Sequence, residues 1–324
     1  MIQLLLWATV VAISAAIYNV VLKKVSHRFI FSFWVTFFTF IAMTILFYIK
    51  QLEHGISISA TTQRISLLAR TNIPLYAILM VFLMLQIALK AHIFEKHSIS
   101  KIIPILEIGT PMTTFLYFLL GDPVTSFETI GIGIISFGAI ISGFKYFYFP
   151  NIFKPLFDLS GHLYISGLTL AGMGTIENII SYITTEKNHT TTAIFSYFKT
   201  TQILNYFTFT FIDSLEYLAI TSIFFIICFI FYFIIASPFT FSKIKEVLTH
   251  NKKAVALASV ANTLSQYTYY YIYTGDEQSI VVALTKFSIP LTLALAYLTF
   301  KEKISTPEKV GVSLIIIGGI IATL

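Results

Sequence analysis

Apolar residues run along this chain in blocks of about twenty, separated by short polar links from one end to the other. Eleven blocks can be drawn, at about 3–22, 29–49, 73–94, 99–120, 127–148, 162–182, 191–212, 217–236, 254–273, 279–300 and 308–324. A helix of about 20 apolar residues covers ~30 Å of bilayer hydrocarbon, so each block predicts a membrane-crossing helix. No block alternates apolar and polar positions, which sets a β-barrel aside. The first block has no basic residue before it and continues to Lys23 and Lys24, so it reads as a retained first span rather than a leader.

The links carry turn and cap chemistry. Gly121-Asp122-Pro123 breaks one helix pair, and Thr125-Ser126 precedes the next helix, with Glu128 in its first turn. Thr306-Pro307-Glu308 reads as the same design: a capping hydroxyl on Thr306, proline in the first turn, then an acid. The longest polar stretches, near 50–72 and 183–190, are too short to build a core of their own.

Composition agrees with the pattern. Of 324 residues 56% are hydrophobic and only 11% charged, against about 25% charged in a soluble domain. The net charge of +6 comes from small basic clusters between blocks, the form of a topology signal, and no nucleic-acid partner is expected. The lone Cys228 excludes a disulfide framework and a cysteine metal site.

The two halves of the chain align. At an offset of 180, Gln86 meets Gln266, Asp122 meets Glu302, Glu128 meets Glu308, Gly131 meets Gly311 and Gly138 meets Gly318; Pro111 meets Pro290 with a one-residue slip. Upstream, Tyr18-Asn19 falls on Glu177-Asn178 at an offset of 159. The expected architecture is an all-α integral membrane protein of about ten transmembrane helices in two inverted five-helix repeats, because an odd number of spans reverses the second copy. The first repeat is 1–148, the linker 149–161 and the second repeat 162–324. Ten spans leave room for one crossing between 182 and 254. The almost wholly apolar 217–236 is preferred over 191–212, which carries Lys199, Gln202 and Asn205. With ten spans the basic residues gather in the odd-numbered links and place the N-terminus outside; with eleven the bias reverses.

Ser288-Ile289-Pro290, then Ala-Tyr-Leu-Thr-Phe-Lys-Glu-Lys-Ile-Ser at 296–305 and the glycines from Gly311 to Gly319, resemble the drug/metabolite transporter superfamily, EamA-like members included. The first half repeats the outline in Gly109-Thr110-Pro111, Gly121-Asp122-Pro123 and Gly131 to Gly138. The resemblance implies a ten-span carrier with both termini cytoplasmic. Lys286, in the ninth span, is similar to a lysine that the sugar-phosphate and nucleotide-sugar branch uses toward the anionic part of its substrate.

Ionisable side chains inside spans cost at least ~2.5–3.5 kcal/mol each and normally face the bundle interior. Here they are Lys90, Glu107, Glu177, Lys199 and Lys286. Glu107 and Lys286 each lie four residues before their repeat's proline, which places them as a cavity-lining pair or as an ion pair joining the halves. Gln86 and Lys90 share a helix face, as do Gln266 and Tyr270 on the partner span. Tyr267, beside Gln266, reads as a stacking surface or as part of an interfacial aromatic belt. Asn19 and Asn262 complete the substrate-binding set, Glu177 is the proton-coupling candidate, and Pro111 and Pro290 are hinge candidates.

Together these features predict a secondary transporter in the cell (inner) membrane that moves a small polar metabolite, anionic or phosphorylated, by alternating access. A counter-substrate or proton is its partner, and the protein is a monomer or dimer. A proton-coupled exporter of amino-acid-like or cationic solutes and a lipid-linked sugar flippase are the alternatives. A membrane enzyme is disfavoured, since the seven histidines are dispersed and neither HExxH nor GxSxG occurs. No cofactor or metal is implied.

Overall fold

Apolar blocks become helices because a backbone wrapped in apolar side chains can satisfy its N–H and C=O groups only within its own segment. A computed structural model describes residues 2–71, 73–106, 109, 112–113, 116, 125–142, 161–184, 214–235, 238–273 and 287–321. Among them are twelve helices: α1 (Ile2–Lys24), α2 (Arg28–Glu53), α3 (Ile58–Thr71), α4 (Ile73–Lys96), α5 (Ile99–Leu106), α6 (Ser126–Ser142), α7 (Gly161–Thr184), α8 (Ser214–Ile235), α9 (Pro238–His250), α10 (Lys252–Tyr273), α11 (Ser288–Phe300) and α12 (Thr306–Ile321). No strand occurs among the described residues, and the chain is all-α.

Two of these segments, Arg28–Glu53 and Tyr76–Lys96, are long and apolar enough to cross a membrane; Ser126–Gly138, Glu216–Ile230 and Ser288–Phe300 are shorter apolar helices. The preferred block 217–236 forms α8, whereas 191–212 lies outside the described residues, as do Asp122 and its turn.

Two helices were not expected. The polar stretch 50–72 holds α3, and 238–250 holds α9. Each buries a single stripe, Thr61, Ile65 and Leu68 on α3 and Ile244 and Val247 on α9. A stripe at helical spacing on an otherwise polar segment marks an amphipathic helix, which a search for apolar blocks passes over.

The most extensive helix contact joins α6 and α12. It is reciprocal: a Cβ on Gly138 would lie 2.7 Å from the Gly311 carbonyl oxygen, and one on Gly318 would lie 2.6 Å from the Gly131 carbonyl oxygen. Residues 180 apart thus exchange places across the crossing, and the backbones approach because no side chain separates them. Both helices open with the same capping box. Thr125 N–H donates to Glu128 at 2.5 Å and Glu128 N–H to the Thr125 hydroxyl at 3.2 Å. Ser305 and Glu308 repeat the pair at 2.6 and 3.4 Å. The capping residue is therefore Ser305 rather than Thr306, because the box places the acid three positions after the cap, with two residues between them.

Helices α2 and α8 interlock through aromatic rings, with Phe37 stacked on Phe229 at 4.5 Å and Phe40 edge-on to Phe225 at 4.8 Å. Each amphipathic helix is pinned across this pair. On one side Arg64 of α3 makes a bidentate ion pair with Glu216 in the first turn of α8. On the other, the Trp34 indole of α2 donates to the Ile244 carbonyl of α9 at 2.9 Å. Glu216 is 3% exposed. Arg64→Ala is therefore expected to destabilise the protein by about 3 kcal/mol, by stranding a buried carboxylate. Arg64→Ala with Glu216→Gln should recover most of that loss in thermal unfolding. A double variant no more stable than the single would show that the pair carries no weight.

The opposite end is tied differently. The Lys23 ammonium, at the end of α1, donates to the carbonyls of Phe94 (2.8 Å) and His97 (2.6 Å), which close α4. Glu302, in the α11–α12 link, accepts from the Ile99 and Ser100 N–H groups that open α5. His97 sits between, its pKa pushed below the ordinary 6.5 by burial and then by Lys101, Lys23, His92 and Lys96. The folded state thus takes up this proton less readily than the unfolded chain. The stability of this corner is full above pH 6.5 and falls as the pH drops through and below that value. Amide protection factors at residues 94–102, with the intrinsic pH dependence of exchange divided out, should fall on acidification in the native chain and lose that dependence in His97→Gln.

Candidate functional site

Asn19, Lys90, Asn262 and Gln266, polar residues predicted within spans, converge where α1, α4, α5, α7, α10 and α11 meet. Helix α1 packs along α10 and α11, and α4 packs against α7. Since each helix offers one polar face among apolar ones, burying the apolar surface turns those faces inward. A cavity of about 270 Å³ remains between them.

Its polar lining comes from four helices: Tyr18 and Asn19 of α1, Lys90 of α4, Asn262, Ser265 and Gln266 of α10, and Ser288 of α11. Ile103, Leu106 and Leu170 form the apolar wall. The Lys90 ammonium lies over the Tyr18 ring, 4.4 Å from its centroid, with Phe94 at 5.9 Å. An aromatic face attracts a cation and helps to fix its place. Asn262 donates from Nδ2 to the Thr39 hydroxyl of α2 at 3.1 Å, which fixes the direction of its amide. One turn before Lys90, Gln86 donates from Nε2 to Oε2 of Glu177 on α7 at 3.3 Å. A polar belt thus crosses the bundle from Glu177 through Gln86, Lys90 and Tyr18 to α10.

The cavity is sized for a small metabolite. Its described lining offers an ammonium, three amides and three hydroxyls, a set suited to holding a polar solute with an anionic group. Among the described residues its lining includes no histidine, cysteine or carboxylate. Among the described residues no three His, Cys, Asp or Glu side chains stand close enough to hold a metal ion.

Of the residues expected to bind solute, Asn19, Lys90, Asn262 and Gln266 come together here, with Gln86 and Glu177 beside them. Tyr267 does not join them. It lies one position round α10, against the apolar cluster with Tyr48 and Phe224, and lines a separate lateral pocket with Phe38 and Leu46. A step of 100° carries it off the face of residues 262 and 266. Tyr270 is on α10, with its side chain outside the described part, and Glu107, Lys286 and Pro111 also lie outside the described residues. Pro290 occupies the first turn of α11, where a missing N–H removes no helical bond. Tyr18, Ser265 and Ser288 were missed as lining residues. Tyr18 had a signal, its alignment with Glu177 at offset 159, whereas serines in apolar helices carry none.

No family model matches the chain. Over 86 residues, 25% of this chain, it is 34% identical to an uncharacterized protein of Methanocaldococcus jannaschii, of whose length it spans 62%. A solved crystal structure superposes over 99% of this chain and 97% of its own, with a TM-score of 0.57 at 12% identity. That similarity shows a shared fold and carries no information on activity.

Proposed function

We propose that the protein is a multi-pass membrane carrier that moves a small polar solute with an anionic group by alternating access. The observation that carries this reading is the central cavity, where Lys90 stands over Tyr18 among amides drawn from both halves of the chain. A cation held among low-dielectric walls attracts an anion far more strongly than it would in water. The amides of Asn19, Asn262 and Gln266 would orient the remainder of the solute.

The architecture in this reading is two inverted five-helix repeats of the drug/metabolite transporter type. It is supported by the reciprocal glycine crossing of α6 with α12 and by the matched capping boxes. The amphipathic helices add to it, since α3 at 58–71 and α9 at 238–250 stand 180 residues apart. The block 191–212 is then an insertion between the first and second spans of the later repeat, which accounts for the change of offset from 159 to 180. The end that carries Lys23, Lys24, Lys96, Lys101, Lys252 and Lys253 faces the cytoplasm by the positive-inside rule, with the N-terminus outside, the reverse of the cytoplasmic termini that the family resemblance implies. The host membrane is the cell membrane.

Counterflow in proteoliposomes tests the class of solute. Vesicles loaded with unlabelled organic acids, phosphorylated metabolites, amino acids or cationic amines are each challenged with the labelled compound. Accumulation confined to the anionic members supports the reading. Accumulation confined to amines or amino acids, driven by a pH gradient, would move the weight to the Gln86–Glu177 pair and the proton-coupled alternative. No counterflow from any class would remove the carrier reading.

A further inference from the structure

A second charged cavity lies apart from the central one, at the end where α1 turns into α2. It encloses about 890 Å³ between that turn and α4, and its polar lining is Lys24, Ser26, His27, Arg28, His92 and Glu95. Ala88 and Ala91 leave it room on α4, and Phe29, 41% exposed, stands beside the mouth.

Arg28 is set as a receptor. One terminal guanidinium nitrogen donates to the Lys23 carbonyl at 2.9 Å, which fixes the plane of the group. Its Nε–H is buried and makes no hydrogen bond. A buried guanidinium donor with no acceptor is costly, and its fork geometry matches phosphate oxygens. Lys24 and Arg28 against Glu95 leave one net positive charge, and two imidazoles add neutral or cationic donors. A phosphodiester carries one negative charge and only acceptor oxygens.

We propose that this cavity binds the phosphodiester headgroup of a membrane phospholipid, with Arg28 and Lys24 on the phosphate and an acyl chain laid past Phe29. The site rests on the membrane placement of the chain but not on the carrier reading, since it shares no lining residue with the central cavity. Its location, at the end of one apolar block and the start of the next, is the depth at which headgroups lie.

Native mass spectrometry and thermal unfolding of the purified full chain in detergent test it, with phosphatidylglycerol, diacylglycerol and inorganic phosphate as probes. Phosphatidylglycerol is expected to remain bound and to raise the unfolding temperature, and diacylglycerol to do neither. Arg28→Gln should weaken lipid retention about tenfold, the scale of one charged hydrogen bond. Lys24→Gln, at an exposed position, should weaken it in the same direction. Equal stabilisation by diacylglycerol, or retention unchanged in both variants, overturns the proposal. Stabilisation by inorganic phosphate as large as by phosphatidylglycerol would overturn the lipid as the occupant and assign the same cations to a soluble phosphate. Counterflow is scored separately, so failure of lipid binding leaves the transport reading standing, and the converse.

Discussion

Lys90→Gln is expected to weaken anionic solute binding by roughly ten- to a hundredfold, the value of one charge-assisted hydrogen bond, and to suppress counterflow accordingly. Glutamine keeps the length and some donor capacity but removes the charge from over the Tyr18 ring. Folding should survive, because deleting an intramembrane charge relieves desolvation. Two controls separate binding from structure. Tyr18→Phe keeps the aromatic face and should retain most transport, whereas Tyr18→Leu removes the face and should raise the apparent KM. If Lys90→Gln transports as well as the native protein, or loses activity only in step with thermal stability, Lys90 is not a solute-binding residue.

Gly318→Ala and Gly138→Ala should each destabilise the protein by about 3 kcal/mol, at the upper end of overpacking costs. At Gly318 the added carbon would meet the Gly131 carbonyl oxygen at 2.6 Å and the Ile135 nitrogen at 2.8 Å. Both are backbone atoms, so no side chain can swing aside and the helices must part. Gly133→Ala on the same helix is the contrast, since nothing lies within 4 Å of its added carbon. It should be neutral or gain about 0.5–1 kcal/mol from helix propensity. The double variant Gly138→Ala/Gly318→Ala should cost less than the sum, because one clash already separates the helices that the second would strain. Thermal unfolding in detergent reads all four. Equal stabilities for Gly318→Ala and Gly133→Ala would mean that the crossing is not close-packed in the membrane.

These two expectations differ in how much of their basis was legible beforehand. The glycines at 131, 138, 311 and 318 stood out as pairs at one offset, but the sequence carried no statement of which glycine faces which. The reciprocal partnering of 138 with 311 and of 318 with 131 is a property of two antiparallel helices brought together. Lys90 was legible as a charge within an apolar block, on a face with Gln86. Its position over the Tyr18 ring was not, because that contact joins two helices about seventy residues apart in the chain.

The expected pair Glu107 and Lys286 lies outside the described residues, and the described lining brings Lys90 together with Asn19, Asn262 and Gln266. Asn19 and Asn262 are far apart in sequence and share no motif. They line one cavity because α1 packs lengthwise on α10.

By itself the sequence determined what local composition controls. Helix rather than strand follows from apolar runs without alternation, and the positions of most helices follow from where those runs stop. The polar faces were assignable because a 3.6-residue period needs only neighbouring residues to define it. Tertiary structure alone decided which faces meet. It placed Tyr267 away from Gln266, moved the cap from Thr306 to Ser305, and showed α3 and α9 to be helices held across the α2–α8 pair. Each of these depends on contacts between segments distant in the chain or on the register at a helix end. Such energies belong to pairs of surfaces, and a single segment does not contain them.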